Sequence, residues 1–369
     1  MNLALSRNDT SLIGRWWWTV DRWMLSTVLL LVGLGALLIM AASPAVSERI
    51  GLGTFSLAMR QLVLLPIALT ALFGMSLASP RWVRRLSILG LLAATLVVGD
   101  QIKGATRWIN LGGFSLQPSE FVKPFFAVTL AWLFAKGKDE AGFPGTPMAM
   151  ALWLLVIALL LLQPDVGQAL LISAIFGIEF FLAGLPIVFV VGLALAGVGG
   201  LIGAYFLLPH VTERINNFLD PGAAGRYQVE RSLDAFINGG LWGVGPGEGR
   251  VKEILPDAHA DFIFAVAGEE LGAIVCLLIV LAFAFVVLRG FSRLLGENSL
   301  FALLATTGLL TQFGLQALIN MGSTLDLIPT KGMTLPFISY GGSSLIALAV
   351  GMGMTLALTR RRVGMGEDL

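Results

Sequence analysis

Charge is scarce in this chain: 24 Lys and Arg with 23 Asp and Glu make up 13% of 369 residues, against 56% hydrophobic. With a mean hydropathy of +0.85, that composition excludes a soluble globular domain and indicates an integral membrane protein. A formal net charge of +1 leaves no excess cation with which to hold a polyanion, so nucleic acid is not an expected partner. The single cysteine, Cys276, excludes an internal disulfide and a multi-cysteine metal centre, and reads as a small buried hydrophobe. The two histidines, His210 and His259, cannot make a histidine-based metal site without carboxylate help. No Gly-Lys-Ser or Gly-Lys-Thr closes the glycine series at 239–249, which leaves a Walker-type phosphate loop poorly supported and a flexible turn the simpler account. No convincing internal repeat of the kind many transporters carry is visible.

What is abundant is apolar sequence in runs of roughly 17 to 25 residues, the length that crosses a bilayer core as helix. About ten such runs predict an all-α polytopic bundle: Trp23–Ser43, Gln61–Ser79, Leu86–Gly99, Pro118–Ala135, Met148–Leu162, Ala169–Gly184, Ile187–Leu208, Phe262–Leu288, Leu300–Met321 and Tyr340–Thr359. The first run ends in Ala41-Ala42-Ser43, like a cleavable signal, but is too long for one and reads as a retained anchor. The expected organisation is an N-terminal segment at 1–22, a membrane domain at 23–359 and a tail at 360–369.

Arg7, Arg15 and Arg22 before the first span, Arg81, Arg84 and Arg85 after the second, Lys136 and Lys138 after the fourth, Arg289 and Arg293 after the eighth and Arg360 to Arg362 at the end share one side. Lys and Arg accumulate on the cytoplasmic side, so both termini are expected there. Arg49, Arg60, Lys103, Arg107 and Lys331 then fall outside, against the bias, and need another explanation.

The longest segment outside the membrane, 209–261, is outward by the odd number of spans before it. Within it, Val229, Leu233 and Phe236 repeat at helical spacing, predicting an amphipathic helix against the membrane. The segment ends in Asp257-Ala258-His259-Ala260-Asp261-Phe262, and ionisable groups where a loop re-enters an apolar span are usually there for chemistry. Asp261 is suited either to capping the eighth span or to proton transfer. A second cluster, Gln117-Pro118-Ser119-Glu120-Phe121-Val122-Lys123, sets Glu120 and Lys123 on one helix face, as a structural ion pair or as a cation oriented toward a cavity. A third, 328–344, has two prolines and a glycine pair: irregular backbone at membrane depth, which survives only packed in protein or lining a cavity. Glu269 and Glu270 read as structural hydrogen-bonding groups and Asp165 as a helix cap.

Taken together, Arg107-Trp108-Ile109-Asn110, Gln117 to Lys123, Gln163-Pro164-Asp165-Val166-Gly167, Leu255 to Ala265 and Ser339-Tyr340-Gly341-Gly342-Ser343-Ser344 resemble the signature of the SEDS family, the cell-wall glycosyltransferases of shape, elongation, division and sporulation. The resemblance runs in order from about the first span to the last. Residues 329–336 are more similar to the division member than to the elongation member, and Ala260 stands where the family pattern has threonine.

The resemblance implies polymerisation of lipid II, the undecaprenyl-diphosphate-linked disaccharide-pentapeptide, on the outer membrane face, with a class B penicillin-binding protein and other division proteins as partners. In such a reaction a sugar hydroxyl attacks the donor anomeric carbon and displaces a lipid diphosphate through an oxocarbenium-like state. Asp261 is then the candidate general base or ligand of a divalent cation such as Mg2+ or Mn2+. Arg107, Lys123 and Lys331 are candidates for holding the diphosphate, with Glu120 and Ser339 in the substrate site. A lipid-precursor flippase and a non-catalytic scaffold are the rival functions; the polar clusters, all on one face, suit an interfacial enzyme better than alternating access.

Overall fold

The computed structural model describes residues 11–104, 108–111, 114–163, 165–184, 186–220, 226–330 and 332–361. The described chain is a helical bundle: α1 (Leu12–Thr19), α2 (Arg22–Arg49), α3 (Ser56–Leu77), α4 (Pro80–Gly104), a hairpin of β1 (Ile109–Leu111) and β2 (Phe114–Leu116), α5 (Pro118–Asp139), α6 (Gly145–Leu162), α7 (Val166–Leu182), α8 (Ile187–Leu207), α9 (Pro209–Leu219), α10 (Tyr227–Gly239), α11 (Val251–Ile254), α12 (Ile263–Leu294), α13 (Leu300–Thr324) and α14 (Gly342–Leu358). Each of the ten expected apolar runs lies on one of these helices, its ends shifted by up to about two turns. Six helices (α2, α3, α6, α8, α12 and α13) are long and apolar enough to cross a membrane, and α7 and α14 are shorter apolar helices. The protein is a multi-pass membrane protein.

Position in the bundle follows from where polar residues interrupt the apolar surface. Helix α13 packs against α5, α7, α12 and α14 and buries Thr306, Thr307, Gln312, Gln316 and Asn320, groups that lipid would leave without hydrogen-bond partners. Helix α8 has no such interruption. Its glycines 192, 197, 199, 200 and 203 have open space where a side chain would stand.

The eighth apolar run differs from the unbroken helix its composition predicts. Gly272 adopts φ +81° and ψ 172° inside α12, a conformation accessible to glycine, and the chain at 240–245 fills the break. Val244 N–H donates to the Glu269 carbonyl at 2.9 Å and Gly245 N–H to that of Glu270 at 3.0 Å, while Ala273 N–H donates to the Gly240 carbonyl at 2.9 Å. The backbone groups freed by the break are thereby paired, as a low-dielectric setting demands. A side chain on Gly272 would lie 2.4 Å from Gly243 N and the Leu241 carbonyl oxygen, so the close approach also requires glycine.

Helix α10 forms where its spacing predicts a helix, but its buried face rests on protein. Val229, Ser232, Ala235 and Gly239 are buried, Ser232 Oγ donates to the Thr324 carbonyl at 2.7 Å, and Phe236 packs on Phe264 with ring centroids 5.6 Å apart. Gly239 meets the Gly268 carbonyl so closely that a Cβ would stand 2.0 Å from its oxygen. Apolar surface on α12 and α13 therefore replaces the membrane surface as the partner of this amphipathic face.

Candidate active site

The Asp257 to Phe262 turn sits at the head of α12. Asp257 takes φ +51°, which lets its carbonyl accept the N–H groups of Ala260 at 3.0 Å and Phe262 at 3.3 Å. Helix α12 begins at Ile263 with Phe262 in the capping position and no side-chain cap, so the Asp261 carboxylate is not spent on capping. Two bonds fasten this turn to the 332–341 segment, Tyr340 N–H to the His259 carbonyl at 2.9 Å and Ser339 Oγ to the Ala260 carbonyl at 2.6 Å, and within that segment Leu335 N–H donates to Ser339 Oγ at 2.8 Å. Ser339 thus donates to the turn and accepts from its own segment. Gly332 passes beside the carboxylate, where a Cβ would be 3.5 Å from Asp261 Oδ2. Phe337, at φ +64°, is held in that unfavourable region by packing: its carbonyl oxygen abuts Gly35 of α2 and its ring lies 6.1 Å from that of Phe313.

Helix α13 supplies the connection between the clusters. Asn320 Nδ2 donates to the carbonyls of Asp261 at 3.0 Å and Met333 at 2.7 Å. One turn earlier on the same face, Gln316 Nε2 donates to the Thr334 carbonyl at 3.0 Å, and Gln316 Oε1 accepts from Lys123 Nζ at 3.1 Å. Lys123 also pairs with Glu120 at 2.8 Å, and Gln168 Nε2 donates to Glu120 Oε1 at 2.9 Å. Lys123 is 1% exposed; its charge reaches the substrate side through Gln316 and Thr334, not by an open approach of its ammonium. Gln168, Gln316 and Asn320 are the connecting residues that motif reading passed over. The available signal was polar residues at i and i+4 in a span otherwise apolar.

Electrostatics single out Asp261. Burial, and then the neighbouring charge of Asp257, push its carboxyl up to about 6, while Arg214 of α9 pulls partly back. No described residue donates a hydrogen bond to the carboxylate, whereas the buried acids Glu120, Glu269 and Glu270 are each engaged. Burial also holds the His259 imidazole below its ordinary value, with Arg49 acting in the same sense and Asp257 against it. Arg214 is exposed and sits close enough to act on Asp261, a cation that the sequence did not single out.

Several outward charges are accounted for structurally. Arg49 donates to the Glu253 carbonyl at 2.5 Å, and Arg60 hydrogen-bonds Tyr340. Glu269 accepts from the N–H groups of Arg250 at 3.0 Å and Val251 at 3.0 Å to its two oxygens. Glu270 accepts from Gly247 N–H at 2.9 Å and pairs with Lys252 at 2.5 Å. The glycine series therefore wraps two carboxylates of its own chain, and phosphate would have to compete for the same N–H groups. Asp165 caps α7 through Gln168 N–H at 3.2 Å. Of the expected site residues, the structure joins Asp261, Ser339, Glu120 and Lys123 in one hydrogen-bonded assembly, and Arg107 and Lys331 lie outside the described residues.

Comparison with known proteins bears on the family and the fold. The family model FtsW/RodA/SpoVE, described as cell cycle protein, matches residues 21–363. A relative from Caulobacter vibrioides named probable peptidoglycan glycosyltransferase FtsW is 45% identical over 98% of this chain and 94% of its own length; one of the same name from Tolumonas auensis is 35% identical over 93% and 92%. Among solved structures, a chain of a peptidoglycan synthase complex superposes with a TM-score of 0.75 at 28% identity, covering 92% of this chain and 97% of that one. The rod shape determining protein RodA of Thermus thermophilus superposes with a TM-score of 0.67 at 27% identity, covering 93% and 97%. The order of motifs, the helical architecture and the match over nearly the whole chain make this protein a member of the FtsW/RodA/SpoVE family, the SEDS proteins.

Proposed function

We propose that this protein is a peptidoglycan glycosyltransferase that polymerises lipid II at the outer face of the cytoplasmic membrane during septal wall synthesis. The observation that carries the proposal is Asp261: a largely buried carboxyl raised to about 6 that accepts no hydrogen bond from any described residue, at the junction of the two loops that form the site. A base of that pKa is mostly ionised near neutrality and more proton-avid than an ordinary aspartate.

In the proposed reaction the acceptor sugar hydroxyl loses its proton to an Asp261 carboxylate oxygen as it attacks the donor anomeric carbon. The bond to the lipid diphosphate breaks and the diphosphate leaves with its electron pair. Arg214, Arg107 and Lys331 supply positive charge for that leaving group. The Lys123–Gln316–Thr334 relay and the Asn320 bonds hold the 332–341 segment in register with Asp261. Among the described residues no group of three or more His, Cys, Asp and Glu could hold a metal ion, which does not fit a resident all-protein site. The uncommitted Asp261 carboxylate does fit a hard cation whose coordination is completed by substrate phosphate and water. Such an ion would offset diphosphate charge when bound.

The relatives named FtsW favour a division role, and the peptidoglycan synthase complex matched above favours a class B penicillin-binding protein as transpeptidase partner. Both termini are assigned to the cytoplasm by the distribution of Lys and Arg. The test is polymerisation of purified lipid II with the cognate transpeptidase present but chemically blocked, wild type against Asp261→Ala at matched folding. Glycan strands from wild type alone are expected. No product from either, in an intact complex, would favour transport or scaffolding instead.

A further inference from the structure

A cleft of about 540 Å³ opens at the end of the bundle opposite Asp261, where α1 turns into α2 and the last turn of α12 and the residues after α14 converge. Its lining includes Asp21, Arg22, Trp23, Arg289, Arg293 and Arg361, so four guanidiniums face a single carboxylate. That carboxylate is spoken for: Asp21 caps α2 through Met24 N–H at 3.1 Å, and its Oδ2 accepts Arg289 Nε at 2.9 Å and Arg293 Nε at 2.5 Å. Its charge is fully enclosed, and no described hydrogen bond uses the terminal nitrogens of either arginine.

The rest of the cleft carries features of a membrane interface. Arg22 lies over the rings of Trp18 and Trp17 at 5.2 and 5.6 Å, stacking that orients its guanidinium edge. Trp23 is 70% exposed, and Leu12 and Ile13 of α1 are exposed at 58% and 62%, placing an aromatic and apolar rim where the helices leave the bilayer. The Arg361 backbone N–H donates to the Thr19 carbonyl at 3.1 Å, which fixes the C-terminal residues against the α1–α2 turn. Arginines in a recess between helices at the membrane edge match the forked oxygens of a phosphate ester.

We propose that this cleft is a binding site for the phosphate headgroup of an anionic phospholipid, whose acyl chains lie along the exposed apolar face at Trp23. Bound there, the lipid bridges α1, α12 and the C-terminal segment, elements distant in sequence.

The test uses the full-length protein in neutral detergent and reads binding of phosphatidylglycerol against phosphatidylcholine by native mass spectrometry. Wild type is compared with Arg22→Gln/Arg361→Gln and with Arg22→Lys/Arg361→Lys; all leave the Asp21 network in place. Preferential phosphatidylglycerol binding is expected, weakened about thirtyfold in the glutamine pair, since each surface cation contributes roughly fivefold, and weakened less in the lysine pair. Glycerol 3-phosphate at millimolar concentration should not displace the lipid. Displacement would mean a site for free phosphate esters and overturn the assignment to lipid. Equal binding by wild type and the glutamine pair would overturn the site itself. No preference for the anionic lipid in any protein would overturn it too, and leave an acidic protein segment as the occupant. Unchanged thermal unfolding of the variants in phosphatidylcholine keeps a folding defect from passing as lost binding.

Discussion

Replacing Asp261 by asparagine should abolish activity while stabilising the fold, and the second half follows from the environment of the carboxyl. Its pKa is 3.8 ordinarily and about 6 in the structure, raised by burial and by Asp257. A carboxyl whose folded pKa exceeds its unfolded value binds protons more tightly when folded, so its ionisation opposes folding. The penalty is fully present above pH about 6 and vanishes as pH falls below the unfolded pKa. Integrating the linkage gives about 3 kcal/mol at pH 7 and about half that at pH 5. An asparagine of the same shape carries no such penalty and keeps the backbone bond from Asn320. Thermal unfolding in nanodiscs at both pH values is the assay: the variant should be more stable than wild type at pH 7, with the advantage shrinking toward pH 5. In parallel, lipid II polymerisation should fall by about 10²–10⁴-fold, and wild-type kcat/KM should decline tenfold per pH unit below about 6. A variant less stable than wild type at pH 7, or one whose advantage does not change with pH, would refute the reasoning.

Lys123→Met leaves Glu120 buried with only Gln168 as a described donor, and should cost about 3–5 kcal/mol in denaturant unfolding; adding Glu120→Gln should restore most of it. Asn320→Leu strands the carbonyls of Asp261 and Met333, at about 1–3 kcal/mol each, and steady-state kinetics should show kcat falling more than KM rises. Gly35→Ala sets a methyl 2.2 Å from the Phe337 carbonyl oxygen and should lose about 1–3 kcal/mol together with activity. Gly33→Ala, with open space at its Cβ position, should leave both unchanged in the same unfolding and polymerisation assays.

Sequence determined the helical class, the run of apolar segments and the three polar clusters, because lipid exposure imposes composition residue by residue and needs no knowledge of neighbours. Asp261 was legible for the same reason: a carboxylate at the edge of an apolar span is conspicuous wherever the chain folds. Tertiary structure alone decided what those groups touch. That Lys123 is enclosed and speaks through Gln316, that the glycine series closes on Glu269 and Glu270, and that α12 breaks at Gly272 to admit residues 240–245 all depend on contacts between segments far apart in the chain. Helix α10 shows the division plainly. Its spacing foretold an amphipathic helix, but an apolar face packs equally well on lipid or on protein, and only the presence of α12 and α13 beside it decided which.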